Sequence, residues 1–234
     1  PRHKVGVWYY RCIRDKPMAV KQEIKSQLAK LLATEDLVVE HKQTQTACFN
    51  VHTRVLTLPM WDKASDTVYD LLVGHEVGHA LYTPDRNWLQ EKKIPPQLVN
   101  IVEDVRIERK VKDKYPGLRR DFSAGYRELF DKNFFGTDGI DINKSSFPDR
   151  INLHFKVGVH LAVPFSAEEQ EIVDRIEKSN TFDDTIALSG EVFEFIGGKR
   201  QHVNQPKNEQ ATIAAPMMNA KEGESDSQSQ GAAN

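Results

Sequence analysis

Five consecutive residues, His75-Glu76-Val77-Gly78-His79, carry the densest chemical signal in the chain. Two imidazoles four residues apart fall on one face of an α-helix, about one turn from each other, so both can reach one cation. Glu76 is turned by roughly 100° from His75 and can stand beside the cation without ligating it. This is the H-E-x-x-H pattern, in which zinc lowers the pKa of a water to about 7 and the glutamate takes its proton. The pattern demands a helix, a third protein ligand and one coordination position left free.

The surrounding residues predict that helix. Ser65 or Asp66 can cap it, and Thr83-Pro84 end it after about Tyr82. Leu71, Leu72 and Ala80 give it an apolar face. Gly74 and Gly78 each cost about 1 kcal/mol against alanine in a helix interior, so a neighbouring element is expected to approach them closely. The competing reading of the motif is a core helix with two hydrogen-bonded histidines.

The third ligand is sought in a second helix, which begins at Pro95-Pro96 and runs to about Tyr115. There Val99, Glu103 and Ile107 share a stripe flanked by Val102, so Glu103 projects from a largely apolar face. A buried carboxylate needs a cation or a metal. Zinc would satisfy Glu103, and so would an ion pair with Arg106. Asp104 lies one step round, facing Asn100 and Glu108, placed to hydrogen-bond a ligand histidine or to be the ligand itself. Glu103 is the expected ligand and Asp104 the alternative.

With these residues in place, the chain resembles the gluzincin branch of zinc metallopeptidases. The carriers are His75-Glu76-Val77-Gly78-His79-Ala80-Leu81 and Glu103 on a following helix, within about residues 46–130. Glu103-Asp104-Val105-Arg106-Ile107-Glu108 is also similar to the metal-associated helix of proteins that pair such a domain with a von Willebrand A-type domain. The chain also resembles phage-encoded metallopeptidase-like proteins of this kind. No Gly-x-x-x-Asn-Glu-x-x-x-Asp segment is present, which departs from the thermolysin pattern. The resemblance implies a zincin-like fold, zinc as cofactor, ligands His75, His79 and Glu103, Glu76 as general base, and a peptide or protein substrate. It also implies a strand edge above the metal helix, on which substrate adds as a further strand. Arg54–Leu58 stands in the right order for that edge; an ordinary buried hairpin is the other reading. Tyr126, Arg150, His154 and His160 are the candidate oxyanion donors.

The remaining elements must position these groups. Residues 17–34 read as a helix. Residues 37–42 and 46–58 read as strands, the last two joined by a turn at Asn50-Val51-His52-Thr53 and ended by Pro59. Further helices are expected at 119–134, 148–162, 167–179 and 183–196, with a loop over 136–147. The expected class is therefore α+β, with a small, mostly antiparallel N-terminal sheet and a larger helical part. Residues 1–197 form the domain; 198–234, poor in apolar residues, form a disordered tail or linker.

Composition limits the alternatives. In 234 residues, 39% apolar and 28% charged composition suits a globular domain, and a net charge of −2 gives no field for nucleic acid or an anionic membrane. Lys110, Lys112, Lys114, Arg119 and Arg120 sit next to acidic residues and read as a solvated helix surface. Two cysteines, Cys12 and Cys48, form no disulfide framework and have no zinc-type spacing. His3, His41, His52 and His202 read as surface or loop residues. No secretory signal and no membrane span are expected, so the setting is cytoplasmic, or host-cytoplasmic for a phage protein. The expected function is zinc-dependent hydrolysis of peptide bonds. The alternative is a non-proteolytic metal-binding assembly or regulatory module working with a von Willebrand A-type partner.

Overall fold

Two periodicities divide the chain: alternating burial where strands form, and burial on every side of the helix that carries the two histidines. The computed structural model describes residues 22–61, 64–88 and 94–200. In order these form α1 (Gln22–Ala33), β1 (Val38–Lys42), β2 (Cys48–Asn50), β3 (Val55–Pro59), α2 (Asp66–Tyr82), α3 (Pro96–Lys114), α4 (Leu118–Asp131), a 3₁₀ turn at Ile142–Lys144, α5 (Phe147–Val157), α6 (Ala167–Lys178) and α7 (Phe182–Arg200). The class is α+β, with seven helices and one small sheet among the described residues.

The sheet is mixed, in the order β1-β3-β2. β2 pairs antiparallel with β3 across a turn in which the Asn50 side chain accepts the His52 and Thr53 N–H groups at 3.0 and 2.9 Å. β1 runs parallel to β3, from Val38 opposite Val55 to Lys42 opposite Pro59. The expected antiparallel character therefore holds for only one of the two pairings. Strand composition predicts pleated, half-buried segments but not their partners. Leu56 and Leu58 point into the core while Val55 and Thr57 are half-buried. Pro59 ends β3, yet the Met60 N–H still reaches the Lys42 carbonyl at 3.0 Å.

α2 begins at Ser65, whose hydroxyl accepts the Val68 N–H at 3.2 Å. It is buried all round because α1, α3, α4 and the sheet pack against it. A Cβ on Gly74 would meet Phe122 of α4 at 2.8 Å, and one on Gly78 would meet Ile107 of α3 at 2.9 Å. The two glycines thus let α4 and α3 approach α2, as their cost to the helix suggested.

Two apolar cores result. One gathers the sheet, α1, α2 and α4 around Phe49, Leu56, Leu71, Val73, Val77 and Phe122. The other gathers α3, α5, α6 and α7 around Val99, Val102, Ile151, Ile176, Ile186 and Val192. α2 and α3 meet along the seam, and the buried ionic groups of the two helices collect there. α5 stops at Val157, where Gly158 caps it, short of the expected 162. Val159 beyond the cap is 87% exposed and belongs to no helix face. α7 continues to Arg200, three residues past the expected domain boundary. Residues 17–21 of the first predicted helix, Cys12, His3, and 201–234 with His202 lie outside the described residues. Among the described residues, no helix is long and apolar enough to cross a membrane.

Candidate metal centre

One turn of α2 presents His75 and His79 with ring centroids 5.0 Å apart. Across the seam, α3 presents Asp104. Its Oδ1 lies 3.4 Å from Nε2 of His79 and 3.6 Å from Nε2 of His75. Among the described residues these three alone form a metal-competent group, with one donor atom from each within 4.8 Å of the others. Zinc bonds of about 2.0–2.1 Å at tetrahedral angles put ligand atoms roughly 3.3–3.4 Å apart. Two imidazole nitrogens and one carboxylate oxygen at this spacing fit a divalent ion of the zinc type.

The far side of each imidazole supports the fit. Nδ1 of His75 faces Glu108 Oε1 at 3.0 Å. A carboxylate only accepts, so this nitrogen carries a hydrogen, and Nε2 is the ring nitrogen that can offer a lone pair to a metal once its own proton has left. Nδ1 of His79 faces the Thr83 hydroxyl at 2.9 Å, and that hydroxyl donates to Glu103 Oε1 at 2.7 Å. With its own hydrogen committed, the Thr83 oxygen accepts from His79. Both rings are therefore oriented with Nε2 toward the seam, as metal ligation requires.

Charge at the seam is dense. Glu108 also accepts from the Tyr126 hydroxyl, and Lys112 stands 3.4 Å away. Burial penalises its charge, but Lys112 and His75 outweigh burial and hold the carboxyl at about 2. Asp104 is likewise held well below the usual carboxylate range: burial opposes its charge, and Lys156, His75 and His79 overcome it. Lys156 Nζ reaches Asp104 Oδ2 at 2.9 Å. Glu76 behaves oppositely. It is 6% exposed, and burial pushes its carboxyl up against the pull of His75 and His79. A carboxylate with raised basicity beside a cation site is suited to taking a proton.

Glu103, the ligand expected from the sequence, is not in the cluster. Adjacent residues on a helix diverge by about 100°, so when Asp104 faces α2, Glu103 turns toward α7. There it accepts Arg106 Nε at 2.8 Å, a second Arg106 nitrogen at 2.6 Å and the Thr185 hydroxyl at 2.9 Å. The buried carboxylate does have a cation, and the cation is Arg106. Asp104, the alternative, is the carboxylate that faces the two imidazoles, and Glu108 is the one that meets the far nitrogen of His75.

The four oxyanion candidates are otherwise engaged. Tyr126 donates to Glu108. Arg150 grips Glu169 with two nitrogens at 2.8 and 3.0 Å. His154 packs edge-on between Phe155 and Phe165, and His160 sits at an exposed position beside Ser123. The residues missed by the sequence reading are Lys156 and Thr83. Lys156 carried a signal: it follows Leu153 and Asn152 by three and four residues, on the buried face of α5. Thr83 had none beyond its place at the helix end.

The proposed substrate edge also moves. β3 is the central strand, paired on both sides, and cannot accept another. β2 is an edge and packs on α2. Its Cys48 thiol, free of any disulfide, is pushed up by burial and by the charge of Glu76, which sets β2 near that carboxylate.

The chain matches no protein-family model, and no curated protein or solved structure is significantly similar to it. The functional reading therefore stands on the geometry of the seam.

Proposed function

We propose that the chain is a zinc-dependent peptidase in which His75, His79 and Asp104 hold the metal and Glu76 is the general base. The observation that carries this reading is the convergence of Asp104 Oδ1 on both Nε2 atoms at 3.4 and 3.6 Å, with Glu76 on the same helical turn. When bound, zinc supplies Lewis-acid chemistry, acidifying water and polarising a carbonyl. The protein's own groups do the rest. Glu76 accepts a proton and returns it to the leaving amine. Glu108 and Thr83 keep the imidazoles oriented. The outer edge of β2 offers main-chain hydrogen bonds to an extended peptide, indifferent to its side chains.

The test is metal analysis combined with Glu76→Gln assayed on an unfolded protein. About one zinc per chain is expected in both proteins, since three ligands remain. Hydrolysis should fall by roughly 10²–10⁴-fold, the usual contribution of a general base. A variant that cleaves as fast as the parent removes Glu76 from the mechanism.

One feature favours a second reading, a metal-binding assembly or regulatory module with a von Willebrand A-type partner. The ligand side chains are little exposed, 14% for His75 and 11% for His79. Zinc-loaded parent without hydrolytic activity on unfolded proteins would select this reading.

A further inference from the structure

Lys156 holds its charged side chain away from most of the solvent. Its side chain is 9% exposed, and it projects from α5 into the seam between α2 and α3. Taking an ammonium out of water costs several kcal/mol unless a partner of good geometry receives it. The partner is Asp104 Oδ2 at 2.9 Å, and the face of Tyr126 lies 5.6 Å from Nζ. The two oxygens of Asp104 are thus divided. Oδ1 is directed at the imidazoles and Oδ2 at the ammonium.

This division has a consequence for the metal. A free aspartate can bind a divalent ion through one oxygen or through both. Turning Asp104 so that both oxygens face the ion would strip Lys156 of its hydrogen-bonded carboxylate and leave its charge only the more distant attraction of Glu108 and Glu76. We propose that Lys156 is a positioning residue that restricts Asp104 to one-oxygen coordination and so keeps the site at three protein donors with a fourth position not taken by the protein. The proposal rests on the metal reading above and deepens it. It assigns to α5, an element with no ligand of its own, control over coordination number. Coordination number in turn decides whether the site suits zinc-type or larger, oxygen-preferring ions, because the former favour four ligands and the latter six or more.

Cobalt(II) reports coordination number through its visible absorption, which is intense for four-coordinate and weak for six-coordinate ions. Parent, Lys156→Met and Lys156→Arg proteins, each loaded with cobalt(II), would be compared. Methionine keeps an unbranched side chain one atom shorter and removes the donor; arginine keeps charge and donor. The parent is expected to give the intense four-coordinate spectrum, Lys156→Met a weakened one, and Lys156→Arg a spectrum restored toward the parent. If the parent binds no cobalt(II), the metal reading itself fails. If the parent binds it and Lys156→Met gives the parent's spectrum, the metal reading stands and the role of Lys156 is overturned. An arginine variant indistinguishable from the methionine variant overturns it as well. Should Lys156→Met not fold, X-ray absorption of the zinc-loaded parent decides. A four-atom shell without a bidentate carboxylate supports the proposal, and a chelating carboxylate refutes it.

Discussion

His79 and Glu103 are joined through one hydroxyl: Thr83 Oγ1 lies 2.9 Å from Nδ1 of the imidazole and donates to the carboxylate at 2.7 Å. Glu103 is itself fixed by Arg106 and Thr185, so the chain of hydrogen bonds runs from α7 through α3 to a proposed ligand on α2. Thr83→Val keeps the shape and removes the link. Loss of such a supporting partner typically lowers metal affinity 10–100-fold, and Thr83→Ser should restore most of it. Competition with a chromogenic chelator measures the change. Unaltered zinc affinity in the valine variant would mean that the hydroxyl does not orient His79.

The neighbouring acids Glu103 and Asp104 should separate cleanly by mutation. Asp104→Asn removes the carboxylate that faces both imidazoles, and bound zinc should fall from about one per chain toward none. Glu103→Ala leaves the Arg106 guanidinium buried without its partner, a loss of about 3–5 kcal/mol in stability. At a temperature where it remains folded, it should still bind zinc, more weakly because Thr83 loses its acceptor. Metal content and denaturant midpoints of the two variants give the answer. Zinc retained by Asp104→Asn and lost by Glu103→Ala would reverse the assignment.

The contrast between these two residues marks how far the sequence was legible. The i, i+4 spacing of His75 and His79 dictates that they share a face, because 3.6 residues make a turn. It requires no knowledge of the partner helix. The third ligand depends on how α3 is rotated against α2, which is set by contacts such as Ile107 on Gly78 and by the pull of Arg106 toward the Tyr82 and Asn180 carbonyls. Burial of Glu103 was legible, and so was Arg106 as one of the two cations that could answer it; which of the two does so was not. The same limit applied to the sheet. Val55–Pro59 reads as a strand from its composition, but its central place between β1 and β2 is a matter of pairing. Helix starts signalled by Ser65 and Pro96 fell within a residue of their expected places, since caps are local chemistry.

Metal uptake should release a proton. Burial opposes a charge on His75, but Asp104, Glu108 and Glu76 outweigh it and push the imidazole up to about 9. The metal-free protein thus carries His75 protonated at neutral pH, while ligation needs it neutral. Calorimetry at about pH 7.5 in buffers of different ionisation enthalpy should report close to one proton released. Apparent affinity should weaken as pH falls below about 9. The stability sign follows from the raised value. The charged imidazole stabilises the metal-free fold fully below its ordinary 6.5, and that contribution is lost as pH rises through about 9. Chelated protein should therefore lose melting temperature across that window, and zinc-loaded protein should not show this loss. Binding without proton release would contradict the charged state assigned to His75.

The approach of α4 to α2 can be tested away from the ionic seam. A Cβ on Gly125 would stand 3.0 Å from Leu71 Cβ and 3.2 Å from the Thr67 carbonyl oxygen. Neither atom is the free end of a flexible side chain, so the helices themselves must separate. Alanine gains about 1 kcal/mol of helix propensity over glycine, while overpacking a tight contact costs about 1–3 kcal/mol. Gly125→Ala is expected to be destabilising on balance, read as a lower denaturant midpoint with an unchanged slope. Gly78→Ala should be milder, because its nearest obstacle is Ile107 Cδ1 at 2.9 Å, a side-chain terminus that can swing away. A Gly125→Ala protein more stable than the parent would show that α4 has room to yield, and that its distance from α2 is not set by this glycine.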